Sequence, residues 1–321
     1  MTYIALEEAF SIPGPDAGTP PWARNTHRTR PDVMKDWARR LADFTAYRLP
    51  EMDEHGVDIQ VLSLTVPGIQ AYTDVAEAVS NATAANDYLA EAIANEPDRF
   101  RGFAALPMQD PKAAIAELRR CVTELGFVGA LVNDHTNGSY LDEPAYEDFW
   151  TELETLDVPL YIHPSIIAAD QWHVMEGHPE LRGSMWSFGV TVAGHVLRLL
   201  FGGVFDRHPN ATLIVGHMGE LLPFHGSRMD SRYLVQESLW PLKRMPSEYL
   251  GSNILITTSG VTSPAVLEGA VLALGADGIM FSIDYPYEST ASAVRGFEAA
   301  RLSDADREKI AHLNARRILK L

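Results

Sequence analysis

Along the chain, short runs of apolar residues alternate with stretches in which apolar positions recur every three or four residues. The runs read YIALEEAF (3–10), DIQVLSLT (58–65), FRGFAALP (100–107), GALVND (129–134), PLYIHP (159–164), TLIVGHMG (212–219), ILITTSG (254–260) and IMFSIDYP (279–286). Several are almost continuously hydrophobic, as expected for parallel strands covered on both faces. Helical spacing fills the intervals. In QDPKAAIAELRRCVTELGF, Asp110 is placed to cap a helix, Pro111 to open its first turn and Gly126 to stop it. Ile115, Leu118, Val122 and Leu125 would face the sheet, with Cys121 beside that stripe as a small packing residue. TDVAEAVSNATAANDYLAEAIANEPDRF, SPAVLEGAVLALGAD and SDADREKIAHLNARRILKL follow the same plan, and His55 before Gly56 marks a helix end. Strands and helices in this alternation predict a (β/α)8 TIM barrel, ahead of an open doubly wound sheet. No Gly-x-Gly-x-x-Gly or Walker-type loop follows any run, which weakens a nucleotide-binding version of the open sheet. The whole chain, 1–321, reads as one barrel domain with long connections at about 11–57 and 165–190, of a length typical of covers or interfaces.

In such a barrel the C-terminal strand ends carry the chemistry. Glu7-Glu8 lie at the end of the first run, His163 at the fifth, His217 at the sixth and Asp284 at the eighth. Singly each has an ordinary explanation: adjacent acids in a strand fraying into solvent, a satisfied rim histidine, a helix cap, a turn aspartate. Together they bring carboxylates and one or two imidazoles to one rim, the ingredients of a divalent-metal site. Trp22, Tyr287 and Phe188 are candidates to pack an aromatic substrate, and equally ordinary packing at the barrel mouth. Arg48 and Arg30 could anchor an anion, but a solvated loop or helix face accounts for them better.

Composition narrows the partners. The formal net charge of −17 argues against a nucleic-acid or anionic-membrane surface, though a buried cation could still reverse the local potential for a small anion. One cysteine, Cys121, leaves no intramolecular disulfide and no cysteine-cluster metal site. With no signal-like segment at the start and no membrane-length apolar run, the cytoplasm is the expected compartment.

The blocks ALEEAF, LYIHP, VGHMGE, ITTSG and FSIDYPYE, in that order, resemble the metal-dependent decarboxylases of the amidohydrolase superfamily, the relatives of 2-amino-3-carboxymuconate semialdehyde decarboxylase. MDEHGVDIQVLSL, ANDYLAEAIANEPDRFRGFAALPMQDP and ELGFVGALVN are similar to gamma-resorcylate and 2,3-dihydroxybenzoate decarboxylases, and YIHP and DYPY to 5-carboxyvanillate decarboxylase. The resemblance implies an amidohydrolase-type barrel with Glu7, His163 and Asp284 as metal ligands, His217 as active-site histidine and Glu220 as the acid beside it. It makes Glu8 an acid behind that site or on its rim. It also implies that Arg228 reaches a neighbouring subunit's substrate, in a homodimer or homotetramer. Many superfamily members carry a histidine two positions after the first acid, where this chain has Ala9. Two carboxylates and one imidazole make an oxygen-rich shell, favouring Mn2+ or Mg2+ with Zn2+ as a further candidate.

The implied reaction is loss of CO2 from an ortho-hydroxybenzoate-type aromatic acid. The ortho-oxygen, as phenolate, pushes electron density to the carbon bearing the carboxylate, and that carbon takes a proton. Asp284 is the family-style donor and His217 the alternative or reservoir. A metal-dependent hydrolase of a lactone or amide would use the same ligands, and a barrel that only binds aromatic acids is a third reading.

Overall fold

Eight parallel strands pair in chain order around the sheet: β1 (Tyr3–Phe10), β2 (Val57–Leu64), β3 (Phe100–Ala105), β4 (Gly129–Asn133), β5 (Leu160–His163), β6 (Leu213–Val215), β7 (Ile254–Thr257) and β8 (Ile279–Met280). The computed structural model describes residues 2–12, 29–165 and 172–321. Helices lie between the strands, α1 (Pro31–Leu41) and α2 (Arg48–His55) before β2, α3 (Val75–Asn95) after it, α4 (Pro111–Thr123) and α5 (Glu147–Leu156) flanking β4. They continue with α6 (Ser187–Phe201), α7 (Val204–Arg207), α8 (Gly226–Tyr233), α9 (Pro264–Leu274), α10 (Thr290–Ala299), α11 (Asp304–Glu308) and α12 (Asn314–Leu319). Every residue of β1 and β4 is buried, because the barrel interior covers one face and the helices the other. The sheet is the (β/α)8 barrel expected from the alternation. Among the described residues no helix is long and apolar enough to cross a membrane.

Three local expectations change. In α4, Asp110 does cap, accepting from the Lys112 and Ala113 amides, but Ala114, Glu117, Leu118 and Cys121 form the buried face, with Ile115 and Val122 at its flanks. Glu117 is tolerated there because Asn86 Nδ2 donates to it at 2.7 Å and Arg120 pairs with it. Arg48 is fully buried rather than solvated. Its guanidinium donates to Gln60 Oε1 at 2.9 Å, to the Ala9 carbonyl at 2.6 Å and to the Asp43 carbonyl at 3.2 Å, and lies 4.4 Å from the Tyr285 ring centre. Arg48 therefore holds the wall of the barrel, and its complete burial leaves it no surface to meet a substrate anion.

The third change is at the closing seam. The apolar run 279–286 suggested a full strand, yet β8 has two residues. Ser282 N and Thr258 Oγ1 bond at 2.9 Å, so side chains take over where a ladder would continue. Against β1 there is one bridge, Glu8 with Tyr285, and the Ala9 amide donates to the Tyr285 carbonyl at 2.7 Å.

Candidate metal centre and active site

Successive strand residues point to opposite faces, so Glu7 and Glu8 part company. Glu7 enters the barrel and is 3% exposed. Its Oε2 accepts from Ser259 Oγ at 2.5 Å and from the Tyr161 hydroxyl, which also bonds Thr257 Oγ1 at 2.8 Å. Its Oε1 is buried without a hydrogen-bond partner and faces His217 Nε2 at 3.2 Å and His163 Nε2 at 3.4 Å. Gly216 makes the room for this carboxylate, since a Cβ there would stand 2.3 Å from Glu7 Oε2 and 3.0 Å from the Tyr161 oxygen.

His163 Nδ1 lies 3.1 Å from Asn133 Oδ1 and 2.9 Å from the Pro164 carbonyl. Both are acceptors, so Nδ1 carries the hydrogen and Nε2 presents a lone pair to the site. A lone pair aimed at a partnerless carboxylate oxygen is repulsive unless a cation lies between them. Asp284 completes the group from a left-handed backbone, φ +77°. Glu7, His163 and Asp284 each offer a ligand atom, all within 4.8 Å of one another. Two carboxylate oxygens and an imidazole nitrogen fit a divalent cation.

His217 follows β6 in a turn at φ +49°, with its amide donating to Ser259 Oγ at 2.8 Å. Glu220 Oε1 holds Nδ1 at 2.7 Å, which leaves Nε2 facing Glu7 and, at 3.6 Å, Asp284 Oδ2. Taken as protein groups alone, the cluster is electrostatically polarised. Burial pushes Glu7 up, but the His217 charge, the largest opposing effect, outweighs it and leaves the carboxyl at about 2. Burial raises Asp284 to about 7, against the His217 hydrogen bond and with help from the Glu7 charge. Burial drives His217 down, yet Glu7, Asp284 and Glu220 lift it well above its usual range. Burial lowers His163, in keeping with a neutral ring.

The structure thus brings Glu7, His163, His217 and Asp284 together, as expected from the strand ends, with Glu220, singled out by the resemblance, beside His217. Tyr287 lines the same small cavity as Ala9, Ser63 and Thr65, with its hydroxyl bonded to Thr65 and its ring edge-on to Trp37 at 5.0 Å. Phe188 sits half-buried in the first turn of α6, beside Gly189, whose Cα faces Glu220 Oε2. Trp22 lies outside the described residues. Arg228 is exposed on the wall of a separate groove of about 990 Å3, which shares Glu220 with the site. Glu8 is neither exposed nor on a rim: it is fully buried behind the barrel wall, where burial pushes its carboxyl up while the Ile283 amide, the Arg48 charge and the Tyr285 amide favour its ionised form.

Tyr161, Thr257, Ser259 and Asn133 were not anticipated. The available signal was period two: Tyr161 shares a face with His163, and Thr257 with Ser259, so hydroxyls on alternate positions point at the same interior.

The Amidohydrolase family profile matches residues 16–321. The chain is 44% identical over 329 residues to gamma-resorcylate decarboxylase of Rhizobium sp. (strain MTP-10005), covering 99% of this chain and 98% of that protein. A crystal structure of 2,6-dihydroxybenzoate decarboxylase complexed with 2,6-dihydroxybenzoate superposes with a TM-score of 0.93 at 43% identity, covering 99% of each chain. The dihydroxybenzoic acid decarboxylase of Polaromonas sp. JS666, with bound manganese and the inhibitor 2-nitroresorcinol, superposes with a TM-score of 0.92 at 42% identity, covering 99% of this chain and 97% of that one. The chain belongs to the amidohydrolase family.

Proposed function

We propose that this enzyme is a carboxy-lyase that removes CO2, without oxidation, from an aromatic acid bearing a hydroxyl ortho to its carboxylate, of the dihydroxybenzoate kind. The observation that carries this is the convergence of the partnerless Glu7 Oε1, the His163 Nε2 lone pair and Asp284, with His217 and Glu220 alongside. Glu7, His163 and Asp284 would hold one divalent ion. When bound, that ion supplies positive charge against a substrate's carboxylate and phenolate oxygens. Mn2+ or Mg2+ suits the oxygen-rich set better than Zn2+, because Ala9 adds no nitrogen, and the manganese in the Polaromonas relative supports that order.

The residues divide the remaining work. Tyr161 and Ser259 fix Glu7 so that only one oxygen is free, and Asn133 fixes the tautomer of His163. In the substrate, electron density from the ortho-oxygen reaches the ring carbon that bears the carboxylate. That carbon takes a proton from Asp284, the bond to the carboxylate breaks, its electron pair returns to the ring, and CO2 leaves. Asp284 stays ionised beside a bound cation, so it must receive this proton as the substrate binds, and His217, steadied by Glu220, stands 3.6 Å away to supply it.

The reading places the enzyme in the cytoplasm as a homodimer or homotetramer. Trp186, Leu221, Leu239 and Trp240 expose apolar surface around the groove that carries Arg228, and a second copy seated there would offer its arginine to the neighbouring site. Co-assembled Arg228→Ala and Asp284→Asn subunits, each inactive alone, should then recover part of the activity. Verified mixed oligomers without recovery would count against sharing.

The main test is to strip the protein with a chelator, refill it with single metals and follow CO2 release from salicylate, dihydroxybenzoates, orsellinate and 5-carboxyvanillate. CO2 release restored by Mn2+ or Mg2+ is expected. Hydrolysis of lactones or amides with no CO2 from any of these acids would favour the hydrolase instead.

A further inference from the structure

The seam between β8 and β1 has a feature that the metal ligands do not explain. Neither strand offers the other a regular ladder, yet the segment that carries Asp284 must be held in a left-handed turn. The Ile283 amide donates to Glu8 Oε1 at 3.0 Å and the Tyr285 amide to Glu8 Oε2 at 3.2 Å. One carboxylate therefore captures the two N–H groups on either side of Asp284, an oxygen to each. Ser282 Oγ adds a third bond to Glu8 Oε1 at 3.2 Å while accepting the Glu7 amide at 2.7 Å. Behind the carboxylate, Arg48 ties the Ala9 carbonyl and stacks on Tyr285, the residue after Asp284.

We propose that Glu8 is a positioning residue: its side chain replaces the missing ladder and clasps residues 282–285 so that Asp284 is presented to the site. This rests on Asp284 serving the site as proposed above. A left-handed backbone strains a non-glycine residue and persists only where its surroundings fix it. Two amides pinned to one rigid acceptor provide that fixing. The same arrangement accounts for the adjacent acids: Glu7 serves the inside of the barrel and Glu8 the seam that Asp284 hangs from.

Glutamine is the informative replacement, since it keeps the shape but offers one acceptor and turns an NH2 toward the other amide. In folded Glu8→Gln, kcat is expected to fall and Mn2+ affinity to weaken, each by roughly 10–100-fold, with KM changed by about threefold or less. Hydrogen exchange supplies a readout independent of turnover. In the parent protein the Ile283 and Tyr285 amides should exchange at least about a hundredfold more slowly than unpaired loop amides, with or without Mn2+, and Glu8→Gln should release both. A folded Glu8→Gln protein with kcat and Mn2+ affinity within about twofold of the parent would overturn the proposal. So would loop-like exchange at 283 and 285 in the parent, which decides the matter alone if the variant does not fold. Asp284→Asn run in parallel separates the two ideas: full activity there removes Asp284 from the mechanism, whereas its inactivity beside a normal Glu8→Gln removes only the clasp.

Discussion

His195 and His217 each have one ring nitrogen paired with an acid, and they are built for opposite purposes. His195, in α6, is fully buried; its Nε2 accepts the Leu141 amide at 3.0 Å and its Nδ1 meets Asp134 Oδ1 at 3.0 Å. Both ring nitrogens are spent, and Tyr140 closes the pocket edge-on at 4.9 Å. His217 also has one nitrogen fixed by an acid, Glu220, but its other nitrogen faces two further carboxylates and touches no backbone amide. An acid partner is thus common to both. What separates a fastener from a working group is a ring nitrogen left without an obligatory partner.

The sharpest way to break this comparison begins at the acid His217 faces. Asp284→Asn is expected to lower kcat by about 10³–10⁴-fold, because charge and proton are lost together, while elemental analysis still finds metal. Wild-type-like turnover with metal bound would remove Asp284. His217→Asn should follow, with kcat down about 10²–10³-fold and the melting temperature nearly unchanged. A large drop in melting temperature without a rate defect would make His217 another fastener. His195→Ala should invert the pattern, costing about 2 kcal/mol of stability by stranding Asp134 and the Leu141 amide, with kcat/KM per folded molecule intact. Denaturant unfolding alongside steady-state kinetics reads both.

The smallest effect concerns pH. With Asp284 raised to about 7, a proton occupies the site below neutrality and must leave before a cation binds. The apparent Mn2+ dissociation constant should therefore rise about tenfold for each unit of pH below 7 and flatten above it. Titrations at pH 5.5, 6.5, 7.5 and 8.5 measure the slope, and a constant affinity across them would contradict the competition.

Much of the site could be read from the chain because polar residues stand out near the ends of apolar runs: His163 is the last residue of β5, His217 comes two after β6, and Glu7 and Asp284 lie within four residues of the ends of β1 and β8. The hydroxyls that orient them did not stand out. Tyr161 and Thr257 are ordinary strand formers, and their role appears only when curvature turns their face toward Glu7. Arg48 escaped for a related reason. Its helix begins in a polar segment, and nothing local announces that Gln60, Ala9 and Asp43 converge on it. The last strand was overread because its apolar residues are indeed buried, while the amides of residues 281, 282, 283 and 285 go to the Ile310 carbonyl, the Thr258 hydroxyl and the Glu8 carboxylate. Hydrophobicity reports burial, and a ladder is a separate matter.

Gly216 sets a limit on how far this active site could be remodelled. Since even a methyl group there would collide with the acid from β1, the position is closed to a saturation library aimed at new ring substituents, however close it lies to the chemistry. Ser63, Leu64 and Thr65 line the cavity from the opposite strand without holding a ligand in place, so variation in substrate preference has its widest scope along β2 and just beyond it.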